Sequence, residues 1–298
     1  MTADERPLVT IAVPTYNRAG TLRRAVDSAR GQTHEHLEIL VCDNASSDET
    51  TDVVRALAAE DARVRHVRRP TNLGAVGNFN AAFADASGEY VTLLADDDWF
   101  AADYVERCLA VLRGDEGVAV AAGRARYVRD GVEVPFGTPL DLPDADARAR
   151  VRAFFEQVGD DASPFYGLMR RSVVARLPPM RNVLGFDWLR LAELAFLGRI
   201  VIVPETSLYR ELGGASTDMS SNVRSAGLPA AQAKVPHLVM AAETLRDIGW
   251  RDNVYAPLGR ARRAALAATC AAAIPRRNAR HVLFHLAPAA LQRRWRER

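Results

Sequence analysis

From Leu8 to Ala122 the chain alternates short apolar runs with segments of helical period, and few folds accept that rhythm. Leu8–Val13, Leu37–Cys42, Val64–Val67, Tyr90–Leu94 and Val118–Ala122 read as strands. Between them, Thr21–Arg30, Val76–Ala86 and Ala102–Arg113 read as helices, as does a segment burying Val53, Val54 and Leu57. Ser46 and Glu49 have the spacing of a capping box at the start of that last helix. Leu8–Val13 is a nearly continuous apolar run ending at Pro14, as in a parallel strand buried on both faces. Such alternation implies right-handed crossovers and an α/β fold with a mostly parallel sheet flanked by helices. Ligands bind such sheets beyond the carboxyl ends of the strands. The residues that follow each run are therefore the candidates for chemistry.

Past Asp130 the pattern loosens. Val132–Leu142 reads as a loop or hairpin, Ala147–Gln157 and Asp187–Leu197 as helices, and Ile200–Tyr209 as a strand. Gly213–Pro229 is rich in Gly, Ser and Asn and is expected to form a mobile lid, with Ser216, Thr217 and Arg224 able to meet a phosphate. From Ala230 the pattern is helical, with breaks expected at Pro257, Pro275 and Pro288. The expected organisation is a domain over 1–229 in two parts, 7–130 and 131–229, which the resemblance described below implies to be a nucleotide-binding and an acceptor-binding half, followed by a helical C-terminal extension over 230–298.

Bulk properties exclude several classes. The formal net charge of the 298 residues is +2, too small to draw the chain to nucleic acid. Lys234 is the only lysine, so almost all positive charge is arginine. Cys42, Cys108 and Cys270 are far apart and show no zinc or disulfide spacing, which fits a reducing cytoplasm. No Gly-rich dinucleotide fingerprint follows the first strand, and no Walker A or HExxH pattern is present.

Three strand ends carry polar clusters: Pro14-Thr15-Tyr16-Asn17-Arg18, Asp43-Asn44-Ala45-Ser46-Ser47-Asp48 and Asp96-Asp97-Asp98. In a parallel sheet all three open onto one edge. Adjacent carboxylates repel, and a divalent cation compensates them; Mg²⁺ or Mn²⁺ is commonly held by one or two carboxylates plus substrate phosphates. The bland alternative is a solvated acidic turn before the next helix. Asp43 could accept from a nucleobase N–H or form an Asx turn. Tyr16 could stack on the base or pack in the core.

The ordered set resembles the family 2 glycosyltransferases, whose fold is GT-A. The resemblance rests on Val9-Thr10-Ile11-Ala12-Val13-Pro14-Thr15-Tyr16-Asn17-Arg18, Asp43–Asp48, Asn72-Leu73-Gly74, Gly77-Asn78-Phe79-Asn80, Gly88-Glu89-Tyr90-Val91 and Asp96-Asp97-Asp98-Trp99. It continues more weakly through Phe165-Tyr166-Gly167-Leu168 and from Gly185 to Ser216. It implies a metal-dependent, inverting transfer of a sugar from a UDP-, dTDP- or GDP-sugar. Pro14, Thr15, Tyr16 and Arg18 would line the base and phosphate pocket, Asp43 would bind the base, and Asn72 and Asn78 would support the donor. Asp96 and Asp97 would face the nucleotide and Asp98 the Mg²⁺ or Mn²⁺. Arg210 would face the diphosphate, and Asp187 would be the general base, the alternative being a helix cap.

Two positions depart from the family pattern: Phe186 stands where a Glu often precedes the base, and Leu212 where a His often ligates. Both feed a competing reading, a non-catalytic sugar-nucleotide-binding protein. A sugar nucleotidyltransferase is a further alternative. The acceptor is open among lipid-linked glycans, natural products and proteins. The tail Arg276–Arg298, with seven arginines among apolar residues, either packs on the domain or makes peripheral contact with the inner face of a membrane.

Overall fold

A computed structural model describes residues 6–137, 140–159, 161–213, 221, 223, 224 and 226–279. The first half runs β1 (Val9–Thr15), α1 (Ala19–Arg30), β2 (Leu37–Asp43), α2 (Thr50–Glu60), β3 (Val64–Arg68), α3 (Gly74–Asp85), β4 (Tyr90–Leu93), β5 (Trp99–Phe100) and α4 (Tyr104–Gly114). Then follow β6 (Val118–Arg129), β7 (Val132–Val134), α5 (Ala147–Gln157), β8 (Leu168–Arg170), α6 (Arg171–Val174), α7 (Phe186–Leu197) and β9 (Arg199–Glu211). The C-terminal helices are α8 (Pro236–Trp250) and α9 (Arg260–Arg277).

The strands form one sheet in the order β3-β2-β1-β4-β8-β6-β9-β5, with β7 paired to β6. β3, β2, β1 and β4 are mutually parallel, as are β6 and β9. β8 runs against both β4 and β6 and joins the two parallel groups. The expected α/β architecture, a mostly parallel sheet flanked by helices, is therefore the observed one.

Why the first strand is largely apolar is visible in its packing. Val9, Ile11 and Val13 pack on one face with Leu22 and Val26 of α1, while Ala12 faces the other with Val76 and Ala82 of α3. Both faces are covered, and the buried Thr10 is tolerated because its hydroxyl donates to Glu38 Oε2 and accepts the Gly88 amide (2.9 Å). α7, α5 and the C-terminal helices cover the second face, and α9 packs on both α8 and α5.

Local expectations fail in three places. The capping box does not form: α2 starts at Thr50, whose amide is met by Asp48 (3.1 Å), while Ser46 Oγ accepts the distant amide of Asn17 (3.0 Å). Pro275 lies inside α9 instead of breaking it. β6 extends to Arg129, well beyond Ala122, because it pairs along β9 on one side and β7 on the other. Of the expected lid, 214–220, 222 and 225, including Ser216 and Thr217, lie outside the described residues, as do 280–298 of the basic tail and Pro288.

Candidate active site

Parallel pairing of β2, β1 and β4, with Thr15 opposite Asp43 and Ala12 opposite Leu93, brings the three polar strand ends to one sheet edge. The first two are laced together. Asn44 donates its amide to Thr15 O (2.9 Å), and Ser47 donates its amide to Asn17 Oδ1 (2.8 Å). The Arg18 amide donates to Thr50 Oγ1 (2.8 Å) and the Ala19 amide to Asp48 Oδ2 (3.3 Å). Asn17 and Ala45 take left-handed φ of 53° and 62° to make these contacts. Tyr16, at the end of β1, is 44% exposed, so it is not a core residue.

Asp43 is wholly buried, and both of its oxygens are engaged. Oδ1 accepts the Ser46 amide (2.8 Å), and Oδ2 accepts Thr51 Oγ1 (2.8 Å) and Arg68 Nη1 (3.0 Å). Burial pushes its carboxyl up, but these bonds and the Arg68 charge together hold it below the usual range. Asn72 Oδ1 accepts from Asn44 Nδ2 (2.8 Å) and from the Gly74 amide (2.7 Å), so it braces the loop after β2. Asn78 donates to Cys42 O (2.9 Å), and its Oδ1 is buried without a partner.

The aspartate triplet follows β4. Burial pushes Asp96 up to about 7, helped by the Asp97 charge and opposed by Thr15, Tyr16 and Arg18. Arg18 Nε lies 3.9 Å from Asp96 Oδ1. Asp98 is 2% exposed and grips β9: Oδ2 meets Arg210 Nε at 3.1 Å, and Oδ1 accepts the Glu211 amide at 3.0 Å. Burial pushes Asp98 up to about 6 against the pull of Arg210. Among the described residues, no group of three His, Cys, Asp or Glu side chains is placed to hold a metal ion by itself.

β9 and α7 complete the cleft. Arg210 lies 5.0 Å from the Tyr166 ring and 5.7 Å from the Tyr127 ring, in addition to its bond with Asp98. Tyr127 in turn donates to Asp161 Oδ1 (2.8 Å). Asp187 is not the cap of α7: Gly185, at φ 78°, holds that place. Asp187 sits in the first turn, partly open to solvent, with Oδ1 accepting the Trp188 amide at 3.0 Å. Burial pushes its carboxyl up, opposed by that amide and by Arg210. Arg210 and Asp187 both act on the Tyr166 hydroxyl, as do Asp97 and Asp98. So Asp97, Asp98, Asp187 and Arg210 share one cleft. Phe186 packs against Phe79 and Phe165, and Leu212 donates its amide to Val128 O (2.7 Å).

Tyr127, Asp161 and Tyr166 were given no role by the sequence. Only Tyr166 had a signal, its place in the Phe165-Tyr166-Gly167-Leu168 stretch.

The sequence profile of Glycosyl transferase family 2 matches residues 10–177, more than half of the chain. The chain belongs to glycosyltransferase family 2. It is 40% identical over 113 residues to a chondroitin synthase of Pasteurella multocida, a match covering 38% of this chain and 12% of that protein. It is 35% identical over 128 residues to a GalNAc(5)-diNAcBac-PP-undecaprenol beta-1,3-glucosyltransferase of Campylobacter jejuni, covering 42% of this chain and 40% of the relative. The matches thus span well under two thirds of these relatives' lengths. Among solved structures it superposes on S. aureus TarS 1-349 with a TM-score of 0.66 at 18% identity, over 96% of this chain and 77% of that one. It also superposes on the mannosyltransferase PcManGT of Pyrobaculum calidifontis, with a TM-score of 0.57 at 19% identity, over 91% and 75% of the two chains. These neighbours share the GT-A fold expected from the resemblance. Among the described residues no helix of this family 2 member is long and apolar enough to cross a membrane.

Proposed function

We propose that the protein transfers a sugar from a nucleotide-diphosphate sugar to an acceptor hydroxyl or amine, with inversion and with Asp187 as the general base. The observation that carries this is the meeting of Asp96–Asp98, Arg210 and Asp187 at one end of the sheet, beside the exposed Tyr16. The structures of TarS with UDP-GlcNAc and of PcManGT with GDP-Man and Mn2+ support a nucleotide-sugar donor.

In this reading the base stacks on Tyr16, with Pro14 and Thr15 behind it. Its N–H replaces Arg68 on Asp43, an exchange eased by the 43% exposure of Arg68. Asn72 and Asn78 act by holding the loops that shape this pocket. Arg18 and Arg210 meet the diphosphate, for which a planar guanidinium is well suited.

The triplet fits a hard cation. All its donors are oxygens, Asp96 is a half-buried carboxyl whose ion-pair partner Arg18 stands off at 3.9 Å, and one or two carboxylates suffice when phosphates supply the rest. Asp98, with Asp97 beside it, would hold Mg²⁺ or Mn²⁺ once Arg210 turns from Asp98 to the diphosphate. The bound ion would neutralise charge that develops on the departing diphosphate. Asp187 then takes the proton from the acceptor as it attacks the anomeric carbon from the opposite face. A carboxyl raised by burial is a stronger base than a free one. The Campylobacter relative's name carries an undecaprenol-linked glycan, which favours a lipid-linked acceptor over a natural product or protein.

The test is thermal unfolding with UDP-, dTDP- and GDP-sugars, each with and without Mn²⁺, followed by donor hydrolysis with the best ligand. One nucleotide series should raise the melting temperature only with metal, and its sugar should be released. No stabilisation by any of them overturns the reading.

A further inference from the structure

On another face of α7 from Asp187 lies a pocket of about 170 Å³. α7 contributes Phe186, Leu189, Arg190 and Glu193, which its period aligns on one face. Successive helical positions turn by about 100°, so Asp187 stands roughly a quarter turn from Phe186, on the flank of the same wall. Pro178 and Pro179 close one side, and Asp247, Arg251 and Asn253 close the other. The pocket is smaller than the roughly 300–1,000 Å³ of sites for whole drug-sized ligands, so it suits a single ring.

Its polar floor is deeply buried yet incompletely paired. Arg190 and Glu193 are 6% and 5% exposed and lie 3.3 Å apart, and Arg190 also donates to Pro178 O. Arg190 Nε is nevertheless buried with no partner. Buried donors left unpaired are costly, at about 1–3 kcal/mol each, and mark a place where a ligand adds bonds.

The charges define the ligand class. Arg181 is already bound by Glu243 (2.8 Å) and Asp247 (3.2 Å), and Arg190 by Glu193. The lining sets Arg181, Arg190 and Arg251 against Glu193, Asp247 and Asp252, so its formal charges balance and favour neither an anion nor a cation. What remains is an apolar wall of Pro178, Pro179, Phe186 and Leu189 facing mixed donors and acceptors. A pyranose has that complement: C–H faces for the wall, and hydroxyls that both donate and accept for the floor.

We propose that this pocket is a subsite for one neutral sugar ring of the acceptor, held alongside the helix that carries the base. The acceptor is then a glycan or glycoconjugate whose reacting hydroxyl reaches Asp187 while a neighbouring ring occupies the pocket. The inference rests on the transferase reading above.

The test uses the full chain without donor. Saturation-transfer difference NMR is recorded with the methyl glycosides of glucose, galactose, mannose and N-acetylglucosamine, and with methyl glucuronide and inorganic phosphate. At least one neutral glycoside should receive saturation, and neither anion should displace it. Leu189→Trp fills the interior; Arg251→Trp narrows the exposed rim and is the safer fold. Signal should disappear in each variant that retains a native circular dichroism spectrum. Absence of any neutral-glycoside signal, its persistence in a folded Arg251→Trp, or displacement by phosphate or glucuronide overturns the subsite. UDP, dTDP and GDP are titrated with Mg²⁺ into the same wild-type sample. Nucleotide binding without glycoside binding removes the subsite and leaves the transferase. Glycoside binding that meets the variant test, with no nucleotide bound, keeps the sugar pocket and removes the transferase reading.

Discussion

Arg210 Nε lies 3.1 Å from Asp98 Oδ2, and the amide of Glu211, one residue on, donates to the other oxygen of the same carboxylate at 3.0 Å. The last strand of the sheet is thereby tied to the acidic turn after β4. Breaking a buried ion pair from one side leaves a charge without compensation, at a cost of about 3–5 kcal/mol. Arg210 keeps 25% side-chain exposure, so Arg210→Ala should fall at the lower end, near 3 kcal/mol. Asp98→Asn should cost less, and the double variant less than the sum of the two. Urea unfolding of the four proteins gives the coupling, and strict additivity would mean that the contact contributes nothing.

Asp187→Asn keeps the shape of the first turn of α7 and removes basicity. Turnover should fall by about 10²–10⁴ with nucleotide-diphosphate affinity unchanged. Steady-state transfer and calorimetric titration check the two halves of that statement. Normal turnover in a destabilised Asp187→Asn would assign the residue to the helix and not to the chemistry.

Asp96→Asn tests the cation. Asp96 is pushed up to about 7 by burial and by Asp97, so an amide in its place should not reduce thermal stability in metal-free buffer. The additional stabilisation that Mn²⁺ gives in the presence of nucleotide should shrink. Melting temperatures with and without Mn²⁺ read both, and an undiminished metal response would exclude Asp96 from the cation's surroundings and leave Asp97 and Asp98.

Glu193 predicts a pH dependence of stability. Burial pushes its carboxyl from an ordinary 4.5 up to about 8, with Arg190 and Arg181 opposing and Asp247 adding to the rise. A carboxyl raised in the folded state contributes stability that is full below about 4.5 and is lost as pH rises through about 8. The melting temperature should therefore fall from about pH 5 to about pH 9, and fall less in Glu193→Gln. Parallel curves for the two proteins would show that Glu193 ionises as it does in the unfolded chain.

Gly88 allows β4 to enter the sheet. A Cβ there would meet Thr10 N at 2.6 Å and Tyr90 O at 2.7 Å, and both are backbone atoms that cannot turn aside. Gly88→Ala should destabilise by about 2–3 kcal/mol, the upper range for overpacking. Chemical denaturation measures it, and a change near zero would mean that the strand entry shifts freely.

The nucleotide-binding half was legible because each of its elements carries its own period, and because parallel order alone dictates that the strand ends meet. β8 was not, since three residues, Leu168–Arg170, are too few to show a period and its reversed direction comes from pairing with β4 and β6. Ser46 and Glu49 misled for a related reason. Their local spacing favours a cap, but Asp43 Oδ1 accepts the Ser46 amide, and Ser46 Oγ accepts the Asn17 amide. The assignment of Asp98 was legible as chemistry and not as geometry, because its partner Arg210 is 112 residues away. The same distance hid Tyr127 and Tyr166, which mean little until β6 and the turn at Ser163–Tyr166 are folded around Arg210.

The reversed strand has a consequence for how the chain can be divided. β4 has β1 on one side and β8 on the other, so a fragment ending near Asp130 keeps the whole polar edge but loses the neighbour of β4. It would expose a buried apolar strand, Tyr90–Leu93, as an open edge ready to pair with its own copies. The first 130 residues are therefore not a separable module. Expressed alone it should accumulate as insoluble aggregate, and acceptor preference is better exchanged between relatives by replacing the helices over α7 than by joining halves.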